Sequence, residues 1–518
     1  MPLPENNAPW PPPHLAPQLA DIRIDDAWYS GDKRKLRTVY ALQGYDNGTG
    51  DLRDQNGRGW RFWERPRPTG RRDNRLHVPL AADIAAKSAA LLFAEPPVWT
   101  FENTSTQDRF EEIAGAGGLD SALREAAEVS AALGGVALRA TWNADLAKRP
   151  LITAVHADGV LPDWQFGVMT GITLWREVAR NGNQVLRHLE RHEPGRILHA
   201  LYEGTLENLG QRVPLTESTE TEGIADSLDP GGPGDTITTG VQGLTCVYIP
   251  NMRPNRKFRG SMLGRSDWQD DGIRDLFMSL DETYTSWMRD IRLAKARLVI
   301  PSGFLNSEGP GKGASFDDDK ELWTEINAAP TSGEGLTLVQ FAIRVAEHEQ
   351  SWRSFSRKAV ESAGYAAQSF GLGDSTAITA TEVLSQERSS LLTKDQKGGY
   401  WLPGLGDLAD VVLQLDRRLG FSSVGAERPR IELADSVSED QQTTATTLEL
   451  LARAAAASTE TKVRILNPDW EDTAVKEETE RILKETGALV ADPTMTGAEG
   501  GGHAGFPSAG GGSGSEGS

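Results

Sequence analysis

Cysteine is nearly absent from this 518-residue chain, which contains only Cys246. A single cysteine excludes a disulfide framework within the chain and is typical of proteins that fold in a reducing compartment. Cys246 lies in the apolar run 244–249, where we expect a buried structural thiol rather than a nucleophile.

Long hydrophobic runs are also lacking. No uncharged apolar run approaches the roughly 20 residues that a bilayer-spanning helix needs, so the sequence predicts no membrane segment. The proline-rich start of the chain has no basic segment followed by an apolar core, and it therefore does not resemble a signal peptide. We expect a soluble protein that is made in the cytoplasm and has no membrane partner.

Positive charge is in short supply. The chain has 54 lysines and arginines against 74 aspartates and glutamates, which gives a formal net charge of −20. Proteins that bind DNA tightly usually carry a basic excess, because phosphate contacts use Lys and Arg, so tight DNA binding is not expected. The acidity has two explanations: a like-charged wall along which a duplex slides, or a surface that only keeps the protein soluble.

Signature motifs of enzymes are missing as well. The text nearest to a phosphate-binding loop, at 309–313, lacks both the hydroxyl residue and the glycine spacing. The segment 371–373 lacks the third glycine of a dinucleotide fingerprint. There is no Gly-x-Ser-x-Gly nucleophile elbow. We therefore predict a protein that is not an enzyme and has no cofactor.

Two groups of residues resemble metal ligands, but neither is expected to bind a metal ion. His188 and His192 are four residues apart in a segment with a strand pattern, where that spacing is too long for one metal ion, so we expect solvated surface there. The adjacent acids Asp317, Asp318 and Asp319 on a Gly-rich segment are also expected to be solvated. No metal site is predicted.

Helical and β-type segments alternate along the chain, which indicates an α+β protein. Helices are predicted first, at 77–96 and 119–133. Strands separated by Gly, Asn and Pro follow, at 136–142, 151–156, 172–179, 185–192, 197–203 and 244–249.

The longest amphipathic pattern lies at 267–297. Apolar residues recur there mostly at steps of three and four, so one helix face is apolar over about five turns. Acidic residues crowd its first turns and basic residues its last turns, as the helix dipole favours. A strand at 298–300, an acidic Gly-rich excursion, a strand at 336–341 and a second long helix at 344–363 are predicted to follow.

A glycine-containing segment, 366–376, comes next. The Thr-x-x-Glu spacing at 379–382 predicts the start of a third helix, which we expect to end near Gly398 and Gly399. The remaining elements are predicted as a helix at 404–419, a strand at 428–434 and helices at 438–457 and 469–486.

This order of helix, small excursion, helix, glycine-containing loop and long helix resembles the portal (head-to-tail connector) proteins of tailed bacteriophages. The text DETYTSWMRDIR at 281–292, followed by RLVIP at 297–301, is similar to a first stem helix and its exit. The segment 375–388, with TATEV at its start, is similar to the beginning of the long helix after the tunnel loop. The segment 83–96 is similar to the early wing helix. The resemblance is weakest in the β-rich part.

The resemblance implies a portal fold with a mixed α/β wing, long stem helices, a small clip excursion and a helical C-terminal crown. The expected parts are an N-terminal arm at 1–34, a wing at 35–265, a stem helix at 266–297, a clip at 298–343, a stem helix at 344–365, a tunnel loop at 366–378, a long helix and further wing at 379–436, a crown at 437–490 and a disordered Gly/Ser tail at 491–518.

It also implies a dodecameric ring at one capsid vertex of the virion, through which double-stranded DNA is packaged and later ejected with non-specific contacts. The implied partners are the terminase large subunit, a head-completion (adaptor) protein, and the major capsid and scaffold proteins. The hydrolysis that drives packaging would belong to the terminase, which fits the missing phosphate-binding loop.

Site residues follow from the same resemblance. Arginines and lysines of the stem are expected either to pair with neighbouring subunits or to meet phosphates, and they are Arg289, Arg292, Lys295 and Arg297. The clip is expected to present Asp317, Asp318, Asp319 and Trp323. The tunnel loop that touches DNA is expected to comprise Gln368, Ser369, Phe370, Gly371, Gly373, Asp374, Ser375 and Thr376.

Two other functions stay open at this point. One is a different capsid-associated structural protein, an adaptor or minor head protein, although adaptors are usually much shorter. The other is a nucleic-acid-processing enzyme whose site the sequence does not reveal. The metal content and nuclease activity of the pure protein distinguish the enzyme from the two structural roles.

Overall fold

The computed structural model divides the chain into two compact units, residues 1–436 and 437–518. The described residues are 3–42, 75–230, 234–294, 297–299, 306–307, 314–315, 337–339, 343–373, 380–433, 448–453, 457–467, 470 and 472–485. Helices and antiparallel strands are mixed along the first unit, and this confirms the α+β prediction.

The helices of the first unit are α1 (Ala16–Ser30), α2 (Lys33–Leu42), α3 (Leu80–Phe93), α4 (Thr104–Gly117), α5 (Leu119–Leu133), α6 (Thr219–Ala225), α7 (Asp271–Leu293), α8 (Val345–Ala363) and α9 (Ala380–Arg418). Its strands are β1 (Val98–Thr100), β2 (Gly135–Thr141), β3 (Leu151–His156), β4 (Val160–Gln165), β5 (Val168–Asn181), β6 (Gln184–Glu193), β7 (Arg196–Thr205), β8 (Asn208–Val213), β9 (Thr236–Thr238), β10 (Cys246–Pro250), β11 (Arg297–Val299), β12 (Asn306–Ser307), β13 (Ala314–Ser315), β14 (Thr337–Val339) and β15 (Arg430–Glu432).

The largest sheet is an antiparallel meander in the order β4-β5-β6-β7-β8, with β9 added beside β7. Three of its strands were predicted, and the structure lengthens each of them by a few residues at one or both ends. Tight turns with left-handed glycines, among them Gly182 and Gly195, join neighbouring strands, as a meander requires. Strands β4, β8 and β9 were not predicted from the sequence.

A second sheet of three strands has the order β10-β2-β3 and is entered directly from α5. The predicted end of α5 at Gly134 and Gly135 is confirmed. Gly134 is left-handed (φ 91°), and a Cβ on Gly135 would lie 2.2 Å from the Tyr248 hydroxyl of β10. The two glycines therefore let the chain turn from helix into strand while β10 packs closely.

The N-terminal residues are packed on the large sheet. Asn7 donates a backbone hydrogen bond to the Gly210 carbonyl (2.7 Å), and buried Trp10 meets Trp175 edge to face at 5.3 Å between ring centroids. This stretch of turns and bends ends where α1 begins at Ala16, and α1 buries Trp28 completely. The second half of the segment predicted as an arm is therefore helix α1, which belongs to the core.

Helix α9 runs without a break from Ala380 to Arg418, so the prediction of two helices separated near Gly398 and Gly399 is wrong. The glycines of this stretch serve close packing. A Cβ on Gly404 would lie 2.7 Å from Ile249, and one on Gly398 would lie 3.2 Å from Leu433. Burial of Trp401 and of its neighbours on the same face offsets the poor helix propensity of glycine and of Pro403.

The excursion between α7 and α8 is described only at its strands. Strand β11 pairs antiparallel with β14, and β12 pairs with β13. The predicted strands at 298–300 and 336–341 are thus confirmed over part of their length, and they close the excursion at its base.

The second unit contains α10 (Thr459–Leu466) and α11 (Asp472–Glu485). The Ser458 side chain caps α10 by accepting from the Thr461 amide. Helix α11 confirms the prediction at 469–486, whereas the predicted helix at 438–457 is described as helical only at 448–453. Among all described residues, no helix is long and apolar enough to cross a bilayer.

Candidate functional site

The candidate site is the pair of long helices α7 and α8, called the stem below, together with the segment 364–373 that leads from α8 towards α9. Asp270 caps the start of α7 by accepting a hydrogen bond from the Gly272 amide at 3.0 Å. Apolar positions at steps of three and four then bury Ile273, Phe277 and Leu280 against the core. The first half of α7 is therefore part of the body of the unit.

A buried ion cluster fixes this first half to α1. The Arg274 guanidinium contacts Asp21 at 2.8 Å and Asp25 at 2.6 Å, and all three side chains are almost fully buried. Burial raises the pKa of Asp25 to about 7 even though Arg274 opposes the rise. Burial would also raise the pKa of Asp21, but Arg274 and Lys257 hold it below its usual range.

Two turns further along, Asp281 ties α7 to the segment before α3. Its carboxylate accepts from the Val78 amide at 2.7 Å, lies 3.0 Å from His77 Nδ1, and accepts a hydrogen bond from the Tyr40 hydroxyl. One turn later the Thr285 hydroxyl accepts from the Leu76 amide at 3.1 Å, and this contact also ties α7 to the body.

The second half of α7 packs on α8 as an antiparallel pair. Tyr284 meets Trp352 at 6.2 Å between ring centroids, and Trp287 stacks on His348 at 5.9 Å. Near the tip, Asp290 lies 3.0 Å from both His348 Nε2 and the Arg344 guanidinium. Hydrogen bonds from these two side chains lower the pKa of Asp290.

Apolar side chains remain open to solvent on this outer half of the stem. Ile291 is 42% exposed, Ile343 38% and Val345 47%, while Trp287 and Trp352 are half-buried. Isolated exposed apolar residues are common on protein surfaces, but a group of this kind on two adjacent helices is typical of an interaction surface.

The predicted stem charges fall into two groups. Arg289 and Arg292 are exposed on α7, and neither forms an ion pair with another described residue. Lys295 lies outside the described residues, and Arg297 is described only as the first residue of β11, paired with Val339. The clip residues Asp317, Asp318, Asp319 and Trp323 also lie outside the described residues.

The predicted tunnel loop begins as a tightly held turn. Residues Ala367–Phe370 form a short 3-10 helix. The Ser369 hydroxyl hydrogen-bonds with Glu387 and, at 2.8 Å, with the Ser390 hydroxyl of α9. The Ala366 amide donates to the same Ser390 oxygen at 2.9 Å. This first part of the segment is therefore fixed to α9.

The rest of the predicted loop is more open. Phe370 is half-buried against Tyr365, with 6.2 Å between the ring centroids. Gly371 is left-handed (φ 69°) with free space where a Cβ would lie. A Cβ on Gly373 would overlap the side chain of Gln368. The predicted loop residues Asp374, Ser375 and Thr376 lie outside the described residues.

A buried lysine connects this segment to the body. The Lys397 ammonium of α9 donates to Asp267 at 2.8 Å, to Ser88 at 2.6 Å and to the Tyr365 hydroxyl at 3.0 Å. Burial lowers the pKa of Lys397, and Asp267 opposes part of that shift. Four elements therefore meet at one charged group. The sequence alone does not reveal this cluster, because its members are far apart in the chain.

The two histidines of β6 lie in a strand, as predicted, but the prediction that they are solvated is wrong. His188 is 3% exposed and His192 0%. Strand β6 is an inner strand of the sheet, and both of its faces are covered by other elements. His188 Nε2 lies 3.1 Å from His199 Nδ1 of β7, with the rings stacked, and burial lowers the pKa of each of these two histidines to about 4.

Beside them, Glu190 forms an ion pair with Arg139 at 2.7 Å and lies 3.0 Å from His192 Nε2. Burial alone would raise the pKa of Glu190, but His192 and Arg139 hold it below its usual range. Among the described residues, no group of His, Cys, Asp and Glu has the geometry to hold a metal ion.

This cluster lies on the floor of a recess of about 610 Å³ between the two sheets and α6. Apolar and polar groups share its lining, which includes Trp142, Leu174, Ile197, Ile224, Ile237, His188 and His199. The sequence did not predict the recess, because its walls come from six separate strands and a short helix.

No family model matches the sequence, and no curated protein matches it. Among solved structures, the chain is similar to one described as the virion of a native gene transfer agent particle, with a TM-score of 0.36, 13% identity, and coverage of 75% of this chain and 89% of the other. It is also similar to one described as the neck of an empty gene transfer agent particle computed with C6 symmetry, with a TM-score of 0.37 and 12% identity. A third is the neck of the native particle computed with C12 symmetry, with a TM-score of 0.36 and 12% identity. These two neck structures are each covered to 90%, and each match spans 75% of this chain.

Proposed function

We propose that this chain is a portal subunit: a protein without enzymatic activity that forms a dodecameric ring at one vertex of a virus capsid. The ring is the channel for packaging and ejection of double-stranded DNA. It is also the platform on which the terminase large subunit and a head-completion protein dock, and it contacts major capsid and scaffold proteins.

The observation that carries the proposal is the stem. Its inner half is fixed to the body by the Arg274 cluster and by Asp281, so its direction is set. Beyond Thr285, which accepts a hydrogen bond from the Leu76 amide, the two helices pack on each other and leave Ile291 and Val345 about half exposed. A helix pair held rigidly at one end, with apolar groups open at the other, is suited to side-by-side association with copies of itself, which hides those groups.

The charges of the stem suit passage of DNA. Exposed Arg289 and Arg292 supply only a few positive charges on a chain whose net charge is −20. Affinity for DNA rises steeply with the number of phosphates that are neutralised, so a few contacts favour loose, sequence-independent binding over retention.

Ring formation is the first test. The wild-type protein is expected to have a mass close to twelve subunits by light scattering and to show rings with a central hole in negative-stain images.

The double variant I291D/V345D is expected to remain monomeric with an unchanged circular dichroism spectrum, because ring formation would bury uncompensated carboxylates between subunits. Val98→Asp is the matched control, since Val98 is 56% exposed on β1, outside the stem. Unchanged rings in I291D/V345D would contradict the stem assignment, and a stable dimer that holds a nucleotide or metal would contradict the portal proposal.

The loop is the second test. Deletion of 371–376 leaves the turn at Ala367–Phe370 attached to α9, so rings are expected to form normally. DNA packaging or retention is expected to fail, because the part of the segment proposed to reach the duplex has been removed. Replacement of the same six residues by glycine and serine keeps the length of the loop. It therefore shows whether the length of the loop or the identity of its side chains matters for packaging. Normal DNA content in particles built with the deletion variant would refute the tunnel-loop assignment.

A further inference from the structure

The hairpin between β4 and β5 exposes an aromatic ring at its tip. Gln165 pairs with Val168, so Phe166 and Gly167 alone form the turn. Phe166 is fully exposed (106%) and Val168 is 67% exposed. Both turn residues have positive φ, 51° and 83°, a conformation that suits Asn-Gly far better than a residue with a Cβ and an aromatic ring.

Phe166 thus has two unfavourable features in the isolated chain, its backbone conformation and its exposed ring. No described residue of the same chain covers the ring. Aromatic side chains presented in this way are typical of residues that insert into a partner, because they bury a large area with few rotatable bonds.

The recess beside α6 has the properties of a receiving site for such a tip. Its charged lining residues are balanced, since Arg139 pairs with Glu190 and Arg176 pairs with Glu220. A neutral, apolar occupant is therefore favoured over a charged one. Gly223 of α6 lines the recess and has no atom within 4 Å of its Cβ position, so that side of the recess is open space.

The histidine pair on the floor suits a peptide turn. Only one proton can lie between His188 Nε2 and His199 Nδ1 when both rings are neutral. In either tautomer the pair therefore retains one N–H and one lone pair on its outer nitrogens, for which no described residue is a partner. A turn has backbone N–H and C=O groups outside the strand ladder, so it can complement one donor and one acceptor.

We propose that the Phe166 tip of one copy of this chain inserts into the recess of the neighbouring copy in the ring. A chain cannot fill its own recess, because the lining residues Leu174 and Trp175 lie six and seven residues along β5 from Val168, which is roughly 20 Å or more. Knob and recess on different parts of one chain make a head-to-tail contact, the type that closes a ring. The inference rests on the proposed ring and adds the wing contact that joins its subunits.

Disulfide cross-linking tests the contact directly. In the double variant F166C/G223C, mild oxidation of assembled rings is expected to give a ladder of covalent oligomers on a non-reducing gel. Each single variant is expected to give no species beyond a dimer. The native Cys246 does not interfere, because it is buried and burial raises the pKa of its thiol. N183C/G223C is the matched control, since Asn183 lies in the hairpin turn at the other end of β5.

The variant Phe166→Asp provides a second measurement. Phe166 makes no core contact, so the fold is expected to be unchanged. Rings dissociate on dilution. Loss of an aromatic anchor is expected to raise the protein concentration below which they dissociate by about tenfold or more, a typical hot-spot effect. Val98→Asp is again the control.

The outcomes separate the inference from the proposed function. A wild-type protein that forms rings, with no ladder from F166C/G223C and no change in Phe166→Asp, would overturn the inference and leave the portal proposal standing. Loss of rings in Phe166→Asp without a ladder would place the tip against another surface and overturn its assignment to the recess. A wild-type protein that never forms rings would contradict both the tip-in-recess contact and the portal proposal.

Discussion

Replacement of Lys397 by methionine is expected to lower the free energy of unfolding by about 3–5 kcal/mol. Lys397 and Asp267 are each 1% exposed, and the ammonium also donates to Ser88 and Tyr365. Removal of the lysine leaves the Asp267 carboxylate buried with only neutral donors, among them the Asn251 amide at 2.8 Å. The loss arises mainly from that uncompensated charge.

The matched control is K397M/D267N, which removes both charges and nearly keeps the volume of each side chain. We expect it to regain most of the lost stability, because a buried ion pair contributes little relative to neutral groups of the same shape. Urea unfolding followed by tryptophan fluorescence gives the values. The I291D/V345D background serves for all of these variants, so that association does not add to the apparent stability. A double variant as unstable as K397M would mean that packing, rather than charge, explains the loss.

Replacement of Arg274 by methionine is expected to have an effect of similar size, about 3–5 kcal/mol at pH 8. Arg274 holds two buried carboxylates, Asp21 and Asp25, and joins α1 to the base of the stem. Without the guanidinium, the folded-state pKa of Asp25 is expected to rise further above the unfolded value, whereas Asp21 keeps Lys257 as a partner. Such groups destabilise the folded state most where the unfolded state is ionised, at high pH.

The pH dependence separates the charge effect from lost packing. As pH falls from 8 towards 5, the folded variant binds a proton at Asp25, and the difference in stability from the wild type is expected to shrink. The triple variant R274M/D21N/D25N is expected to show no such dependence. Parallel urea curves at the two pH values provide the measurement. A difference that stays constant with pH would contradict the assignment of the effect to unpaired carboxylates.

The sequence predicted elements well where the pattern is local. Strands β5, β6 and β7 were found because β-type runs alternate with turn residues, and α5 was found because Gly134 and Gly135 mark its end. The start of α9 at Ala380 agrees with the Thr-x-x-Glu spacing.

Elements defined by distant contacts were missed. Helix α1 was not predicted, because Asp21 and Asp25 lie on its buried side and interrupt the apolar pattern. Their burial depends on partners that are distant in the chain, above all Arg274, about 250 positions away. His188 and His192 were assigned to the surface for the same reason, since nothing local shows that both faces of β6 are covered. Of the candidate site, the two long helices on either side of the excursion were predicted, whereas the recess and the Lys397 cluster required the folded chain.

Helix α9 is long and continuous, and its most flexible point is expected near Gly398 and Gly399. About 58 Å long by its 39 residues, it is attached to the segment 364–370 through Ser390 and Thr393, and to the core through Trp401. Between these attachments lie Gly398 and Gly399, and Pro403 lacks the amide that would bond to the Gly399 carbonyl. A pull on the loop segment is therefore expected to bend the helix near residue 399 and to leave the tryptophan anchor in place. Mechanical load on one end of the helix does not have to unfold the other.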